Sequence, residues 1–119
     1  MGWVAAAADR VVGCVGLELH PPAALLRSLA VVPERRGRRV GSSLLARALL
    51  EARRRGAREV YLLTTGAADY FARYGFRPVP RAQAEPAVGH SAEFKGLCPA
   101  SAVVMRLDLE TPPTSLTFF

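Results

Sequence analysis

The segment from Leu25 to Leu63 constrains the fold most, because it holds two β-prone apolar runs separated by one helical pattern. Leu25 to Val32 predicts a strand, and Pro33 ends it because proline has no N–H to give to a central ladder. Val60 to Leu63 predicts a second, shorter strand. A strand, a helix and a strand in this order predict a parallel pair joined by a right-handed crossover. We therefore expect an α/β fold with helices packed on a sheet.

The helix between these two strands is predicted from the spacing of its apolar residues. They share one stripe of the helical period, and Gly56 follows the pattern as the expected C-cap. Basic residues just before Gly56 suit the negative end of the helix dipole. The stripe consists of Val40, Leu44, Leu45, Ala48, Leu49 and Ala52.

Two apolar runs at the start of the chain predict adjacent antiparallel strands. Trp3 to Ala7 and Val11 to Leu19 are separated by Ala8, Asp9 and Arg10, which suit a hairpin turn. The second run carries apolar residues at both odd and even positions, Val11 and Val12 among them. We therefore expect this strand to be buried on both faces.

The second half of the chain predicts a short helix and two further strands. Ala67 to Tyr74 predicts the helix, which Gly75 stops, and Phe76 to Val79 and Ala102 to Leu109 predict the strands. A proline-rich stretch that starts at the end of the first of these strands holds Pro78, Pro80 and Pro86 and predicts a loop.

The length of 119 residues allows one domain, which we expect to span residues 1–109 with a flexible tail at 110–119. Half of the residues are hydrophobic and 22% are charged, a composition that excludes an intrinsically disordered chain. No apolar stretch reaches the roughly 18 residues of a membrane helix, and the start lacks the pattern of a secretory signal. We expect a cytoplasmic protein with no membrane partner. Cys14 and Cys98 have no spacing that predicts a metal site or a disulfide framework, so we expect no metal.

The net charge of +6 raises the possibility of a nucleic-acid partner, but the charge is local. Arginine supplies 15 of the 16 cations, and nine of these lie between Arg35 and Arg58. Such a cluster suits the phosphates of a polymer, the phosphates of a small cofactor, or a solvated helix face. No aromatic residue interleaves with the run from Arg53 to Arg55, which disfavours a single-strand binder. Nucleic acid is therefore the weaker interpretation.

The turn between Pro33 and the predicted helix contains the rest of the basic cluster. A turn that leads into a helix presents unpaired backbone N–H groups and the positive end of the dipole, a favourable site for a pyrophosphate. The chain has neither the GK[ST] of a P-loop nor the GxGxxG of a dinucleotide fold. The predicted phosphate site is therefore neither a P-loop nor the phosphate-binding turn of a dinucleotide fold.

Two sequence blocks resemble the GNAT (GCN5-related N-acetyltransferase) family. The first is the apolar run Leu29-Ala30-Val31-Val32-Pro33 followed by Arg36-Gly37-Arg38-Arg39-Val40-Gly41, which is similar to the family's [QR]xxGx[GA] turn. The second, Ala67 to Phe76, is similar to its AxxFYxxxGF helix and strand. The resemblance extends from Trp3 to Leu109. Three further stretches resemble the acetyltransferases encoded in bacterial arsenic-resistance operons; they are Leu26 to Val31, Tyr61 to Thr65 and Leu97 to Ala102.

The resemblance implies a mixed, mostly antiparallel twisted sheet with a central parallel pair and flanking helices, lacking the family's first strand and first two helices. It implies acetyl-CoA as cosubstrate and transfer of an acetyl group to a primary amine of a small molecule, an amino-acid-like compound or an organoarsenical toxin among them. Backbone groups of the first block's strand would hold the pantetheine arm, and the turn would hold the pyrophosphate. The cofactor-binding residues implied are Leu29, Ala30, Val31, Arg36, Gly37, Arg38, Arg39, Val40, Gly41, Ser42 and Thr64.

Two positions depart from the family's pattern. Arg39 stands where the first glycine of the turn is usual, which is harmless at negative φ and costly at positive φ. Phe71 stands where the family often has the tyrosine that protonates the leaving thiolate. Phenylalanine has no proton to donate, so we expect Tyr70 next to it, solvent, or no specific acid to serve.

Glu18 is the candidate that accepts the proton of the attacking amine, because a charge on an apolar strand must reach the cleft or the strand's end. A solvated glutamate at the strand's end is the open alternative. The rival to the enzyme as a whole is a non-catalytic module that binds CoA or docks nucleic acid. Because the chain begins at what would be the family's second strand, we expect a misplaced start, a partner subunit in a homodimer that completes the acceptor site, or lost catalysis.

Overall fold

The structure, a computed structural model, describes residues 1–7, 10–33, 39–89, 91 and 102–109. The predicted turn at Ala8 and Asp9, the site residues Arg36, Gly37 and Arg38, and the predicted tail lie outside the described residues, as does Cys98.

In the described part of the chain, six strands form one sheet in the order β1-β2-β3-β4-β6-β5. Every pairing is antiparallel except that of β3 with β4, which is the parallel pair predicted from the strand, helix and strand pattern. The fold is thus mixed α/β with a mostly antiparallel sheet, as predicted. The strands are β1 (Gly2–Ala7), β2 (Arg10–His20), β3 (Ala23–Val31), β4 (Glu59–Thr64), β5 (Arg77–Pro78) and β6 (Val103–Asp108), and the helices are α1 (Val40–Arg54), α2 (Ala68–Ala72) and α3 (Arg81–Val88).

Helix α1 packs its predicted apolar stripe on one face of the sheet. Leu45, Ala48 and Ala52 are almost fully buried there, against Val15 and Leu17 of β2 among others. The helix ends at Arg54, and Gly56 follows with a φ of 89°, a conformation that glycine adopts without strain. Small alanines let the helix approach the sheet closely.

Helix α3 covers part of the opposite face, where the sequence predicted a loop. Ala84 and Val88 are fully buried against Ala23 and Leu25 of β3 and against Tyr61 of β4. The loop prediction was wrong because it rested on prolines. Pro80 lies just before the helix and needs no N–H there, and burial of the two apolar side chains outweighs the cost of Pro86 inside the helix.

The predicted burial of β2 on both faces is wrong at its start. Val11 is 55% exposed. The pairing of β1 with β2 shifts by one residue there, so that Val12 has no partner opposite it, and a bulge of this kind twists the strand end away from its neighbours. Val12, Val15 and Leu17 are buried.

Candidate functional site

The site is a cleft that opens where the parallel strands separate. β3 pairs with β4 at Ala23, Ala24 and Leu25 only. Beyond these residues the two strands diverge, and a cavity of about 580 Å³ lies between them. Its lining residues are Leu26, Arg27, Ser28, Leu29, Ala30, Val31, Arg39, Gly41, Ser42, Leu62, Leu63, Thr64, Ala67, Tyr70 and Phe71.

Most of the predicted site residues line this cavity. They come from three elements, the end of β3, the start of α1 and the segment from β4 to α2. The lining includes Leu29, Ala30, Val31, Arg39, Gly41, Ser42, Thr64 and Tyr70. Val40 packs instead against the core beside Gly13, and Glu18 lies behind the lining residue Arg27. Sequence reasoning did not find Arg27 or Tyr74.

A bulge in β3 shapes the floor of the cavity. Ser28 and Leu29 lie opposite the single residue Val15 of β2, and Ser28 has a φ of 60°. Its carbonyl oxygen accepts a hydrogen bond from the Cys14 thiol at 3.4 Å. An extra residue in one strand bends it. The bulge therefore coincides with the divergence of β3 from β4.

Arg39 has a left-handed backbone conformation at the start of α1, with φ 66° and ψ 12°. Arg39 stands where the family usually has glycine. Its φ is positive, which is the conformation that costs a residue with a side chain free energy. No side chain of the described residues caps the helix here. The N-terminal N–H groups of α1 thus face the same end of the cavity as the Arg39 side chain.

Three hydroxyl groups meet beside the start of α1. Ser42 Oγ hydrogen-bonds with Tyr74 Oη, and the Tyr70 hydroxyl lies close enough to both for their hydroxyl groups to shift its pKa. Burial is the main cause that raises the pKa of Tyr70, whereas the hydrogen bond from Ser42 is the main cause that lowers the pKa of Tyr74. Tyr74 is four residues from Tyr70, a spacing that would place both side chains on one face of the helix predicted over Ala67 to Tyr74, although α2 itself ends at Ala72. That spacing is the sequence signal by which Tyr74 could have been found.

Phe71 and Thr64 lie at the inner wall of the cavity. Phe71 is 7% exposed and packs edge-on against Tyr70 and Phe76. The oxygen of the Thr64 hydroxyl accepts a hydrogen bond from the Ala67 N–H at 3.0 Å, in the turn that leads into α2. Its hydroxyl proton is left to donate to an acceptor in the cavity.

Glu18 is held in place by three polar neighbours. Arg27 Nη1 lies 2.5 Å from one carboxylate oxygen and His20 Nε2 lies 3.1 Å from the other. Burial raises the pKa of Glu18, but hydrogen bonds with His20, Ser91 and Arg27 lower it more, so the net pKa is below the ordinary value. Glu18 is therefore ionised at neutral pH, and its charge is directed at Arg27.

The described residues contain no group of three or more His, Cys, Asp or Glu side chains that could hold a metal ion. In the same part of the chain, no helix is both long and apolar enough to cross a membrane.

Comparison with known families identifies the fold of this site. A sequence model described as an acetyltransferase (GNAT) domain matches residues 2–78. The chain belongs to the GNAT acetyltransferase family. No curated protein matches the sequence significantly.

Solved structures of similar fold agree with this GNAT assignment. Rv2747 from Mycobacterium tuberculosis, in complex with CoA and NLQ, has a TM-score of 0.74 and 28% identity, over 91% of this chain and 75% of that one. N-acetylglutamate synthase from Neisseria gonorrhoeae, complexed with coenzyme A and N-acetyl-glutamate, has a TM-score of 0.75 and 21% identity, over 87% and 24%. PaiA N-acetyltransferase from Thermoplasma acidophilum, in complex with coenzyme A, has a TM-score of 0.71 and 18% identity, over 91% and 60%. This GNAT chain spans about a quarter of the synthase.

Proposed function

We propose that this GNAT domain transfers the acetyl group of acetyl-CoA to a primary amine of a small molecule. The observation that carries the proposal is the divergence of β3 from β4 after Leu25, which leaves a cavity of about 580 Å³ at the end of β3 where α1 begins. The CoA complexes of Rv2747, the neisserial synthase and PaiA support acetyl-CoA as the cosubstrate.

The dimensions of the cavity fit the pantetheine arm. Leu26 to Val31 of β3 extends over about 16 Å at the usual rise of a strand. The pantetheine arm is as long as about four extended residues, about 14 Å. An arm laid along β3 can hydrogen-bond to its backbone as an added strand does. The phosphates then lie at the Val31 end and the thioester at the Leu26 end.

The start of α1 suits the pyrophosphate. Its N–H groups at Gly41 and Ser42 adjoin the cavity, and the positive end of the helix dipole favours an anion there. The Arg39 guanidinium adds a full charge at the same end. Arg36, Gly37 and Arg38, which the family resemblance also assigns to the phosphates, remain part of this proposal.

Arg27 directs the choice of acceptor toward amines that also carry a carboxylate. Arg27 lines the cavity next to Leu26, where the thioester would lie, and its guanidinium pairs with Glu18. Guanidinium groups pair with carboxylates in a bidentate geometry. An amino-acid-like acceptor follows, and the N-acetyl-glutamate bound to the neisserial synthase supports that class. An organoarsenical amino acid belongs to the same class and is the acceptor that the narrower resemblance suggests.

We propose that Glu18 accepts the proton of the amine through a water molecule. Replacing Glu18 with glutamine should lower turnover at neutral pH and leave acetyl-CoA binding intact. An unaltered pH–rate profile in Glu18→Gln would remove the carboxylate from the mechanism.

A thiol-release assay with a panel of primary amines tests the proposed activity. The panel should contain amino acids, simple amines without a carboxylate and organoarsenical amino acids, each with acetyl-CoA. We expect saturable thiol release with an amino-acid-like acceptor and much slower release with the matched amine lacking the carboxylate. Absence of amine-dependent release from the whole panel contradicts the activity.

A second candidate function is a module that binds CoA without turnover. Phe71 at the wall of the cavity has no proton to donate to a leaving thiolate, which favours this non-catalytic module. Saturable binding of acetyl-CoA together with no thiol release would support this candidate over the enzyme.

A further inference from the structure

We propose that Tyr70 and Tyr74 bind the phosphate end of CoA, together with Ser42, and that neither tyrosine protonates the leaving thiolate. The inference rests on the proposed function, because it assigns roles within the same cavity. It also changes the expected role of Tyr70, which the sequence suggested as the acid in place of Phe71.

The position of the Tyr70 hydroxyl separates it from the reacting end of the cavity. A Cβ atom at Gly41 would lie 2.9 Å from the Tyr70 hydroxyl and 3.6 Å from Val31 Cγ2. The hydroxyl is therefore beside the first turn of α1 and the last residue of β3. Leu26, at the other end of the lining, is five residues from Val31, a span of about 16 Å along the strand.

A proton donor must be within hydrogen-bond reach of the atom that it protonates, about 3 Å. If the thioester lies near Leu26, the sulfur is about a pantetheine length, about 14 Å, from the phosphates. Tyr70 can contact one end or the other, and its contact with Gly41 places it at the phosphate end.

Among the described residues, the side chains that act on the two hydroxyl groups are the cations Arg39 and Arg73 and the neutral hydroxyl of Ser42. Arg73 and Arg39 both lower the pKa of Tyr74 through their charges, after the hydrogen bond from Ser42. The guanidinium carbon of Arg73 also lies 5.6 Å from the centre of the Tyr70 ring. Hydroxyl donors in such a positive surrounding suit phosphate oxygens. An anion there would accept hydrogen bonds from Tyr70 and Ser42 and hold Tyr74 in its protonated form.

Phe71 presents the other side of α2 to the inner part of the cavity. It lies one residue from Tyr70, about 100° around the helix, and its ring is buried in the core. Phe71 also lines the cavity and has no hydroxyl, so it supplies no proton to the leaving thiolate. In the transfer, the amine nitrogen bonds to the carbonyl carbon, the carbon–sulfur bond breaks, the amine loses its proton through water to Glu18, and a proton returns from Glu18 through water to the thiolate.

The test compares acetyl-CoA with S-acetyl-pantetheine, which has the thioester but no pyrophosphate. Calorimetric titration of CoA should give at least about tenfold weaker binding for Tyr70→Phe and Tyr74→Phe than for the unchanged chain, because each loses a hydrogen bond to a charged group. Turnover of S-acetyl-pantetheine should be the same in all three. Tyr61→Phe, which removes a hydroxyl on the opposite face of the sheet, is the matched control and should bind CoA normally.

Two results overturn the inference. Equal CoA affinity in the unchanged chain and both variants means that the hydroxyl groups do not contact phosphate. A large loss of kcat in Tyr70→Phe with S-acetyl-pantetheine, accompanied by a shift of the basic limb of its pH profile, means that Tyr70 is the acid. If the unchanged chain binds no CoA, the proposed function fails and this inference fails with it; if the chain binds CoA and the variants bind equally, only this inference fails.

Discussion

Arg39 has a backbone conformation that side-chain-bearing residues avoid, at the edge of the cavity. The left-handed conformation costs a non-glycine residue roughly 1–2 kcal/mol, and glycine loses roughly 0.5–1 kcal/mol more entropy on folding. Arg39→Gly should therefore raise the free energy of unfolding by about 0.5–1 kcal/mol, measured by urea denaturation. The same variant should bind acetyl-CoA more weakly, because it loses a cation from the phosphate end.

Arg47→Gly is the matched control for Arg39→Gly. It removes the same exposed side chain from the middle of α1, where glycine costs about 1 kcal/mol. The two variants should thus change stability in opposite directions. A destabilised Arg39→Gly variant would show that the conformation at Arg39 is not strained, and an unchanged affinity would remove Arg39 from the phosphate site.

At the scale of elements, packing explains what the sequence predicted and what it missed. Helix α1 has a clear apolar stripe, and β3 and β4 are clear apolar runs. The sequence therefore predicted the ends of all three elements within about two residues. Helix α3 was missed because prolines signal a loop locally, whereas the burial of Ala84 and Val88 depends on the distant strand β3. Local sequence patterns do not report such contacts.

In the candidate site, too, the sequence predicted the features that a local motif marks and missed those that depend on distant contacts. The family motif gave the start of α1, because a turn that holds phosphate requires a particular local sequence. The β3 bulge at Ser28 gave no signal, because serine is an ordinary strand residue and its φ of 60° follows from the pairing with β2. Arg27 and Tyr74 reach the site region through tertiary contacts with Glu18 and Ser42.

The packing of α3 on the sheet is open to a direct test. Ala84 is completely buried, so Ala84→Glu would bury a charge and should reduce the free energy of unfolding by about 3 kcal/mol or more. Gln83→Glu, one residue away on the exposed side, should change it by less than about 0.5 kcal/mol. Urea denaturation compares the two. Equal and small effects would mean that this segment is not packed on β3 and would favour the loop.

At the scale of the whole molecule, the net charge of +6 suits a polyanionic small ligand. Raising NaCl from about 50 to about 500 mM screens exposed charges and should weaken acetyl-CoA binding several-fold. The KM for S-acetyl-pantetheine, which has no phosphate, should stay nearly constant over the same range. Equal salt dependence for both compounds would show that the basic cluster does not act on the phosphates.

The central claim is that the cavity between β3 and β4 binds acetyl-CoA, and calorimetric titration with a matched pair of glycine variants tests it most directly. A Cβ at Gly41 would lie 2.9 Å from the Tyr70 hydroxyl at the phosphate end, whereas a Cβ at Gly66 would meet nothing within 4 Å. We predict saturable binding of one acetyl-CoA per chain, the same affinity in Gly66→Ala, and at least about tenfold weaker binding in Gly41→Ala with both variants folded. No saturable heat from the unchanged chain, or equal affinity in all three proteins, would contradict the account.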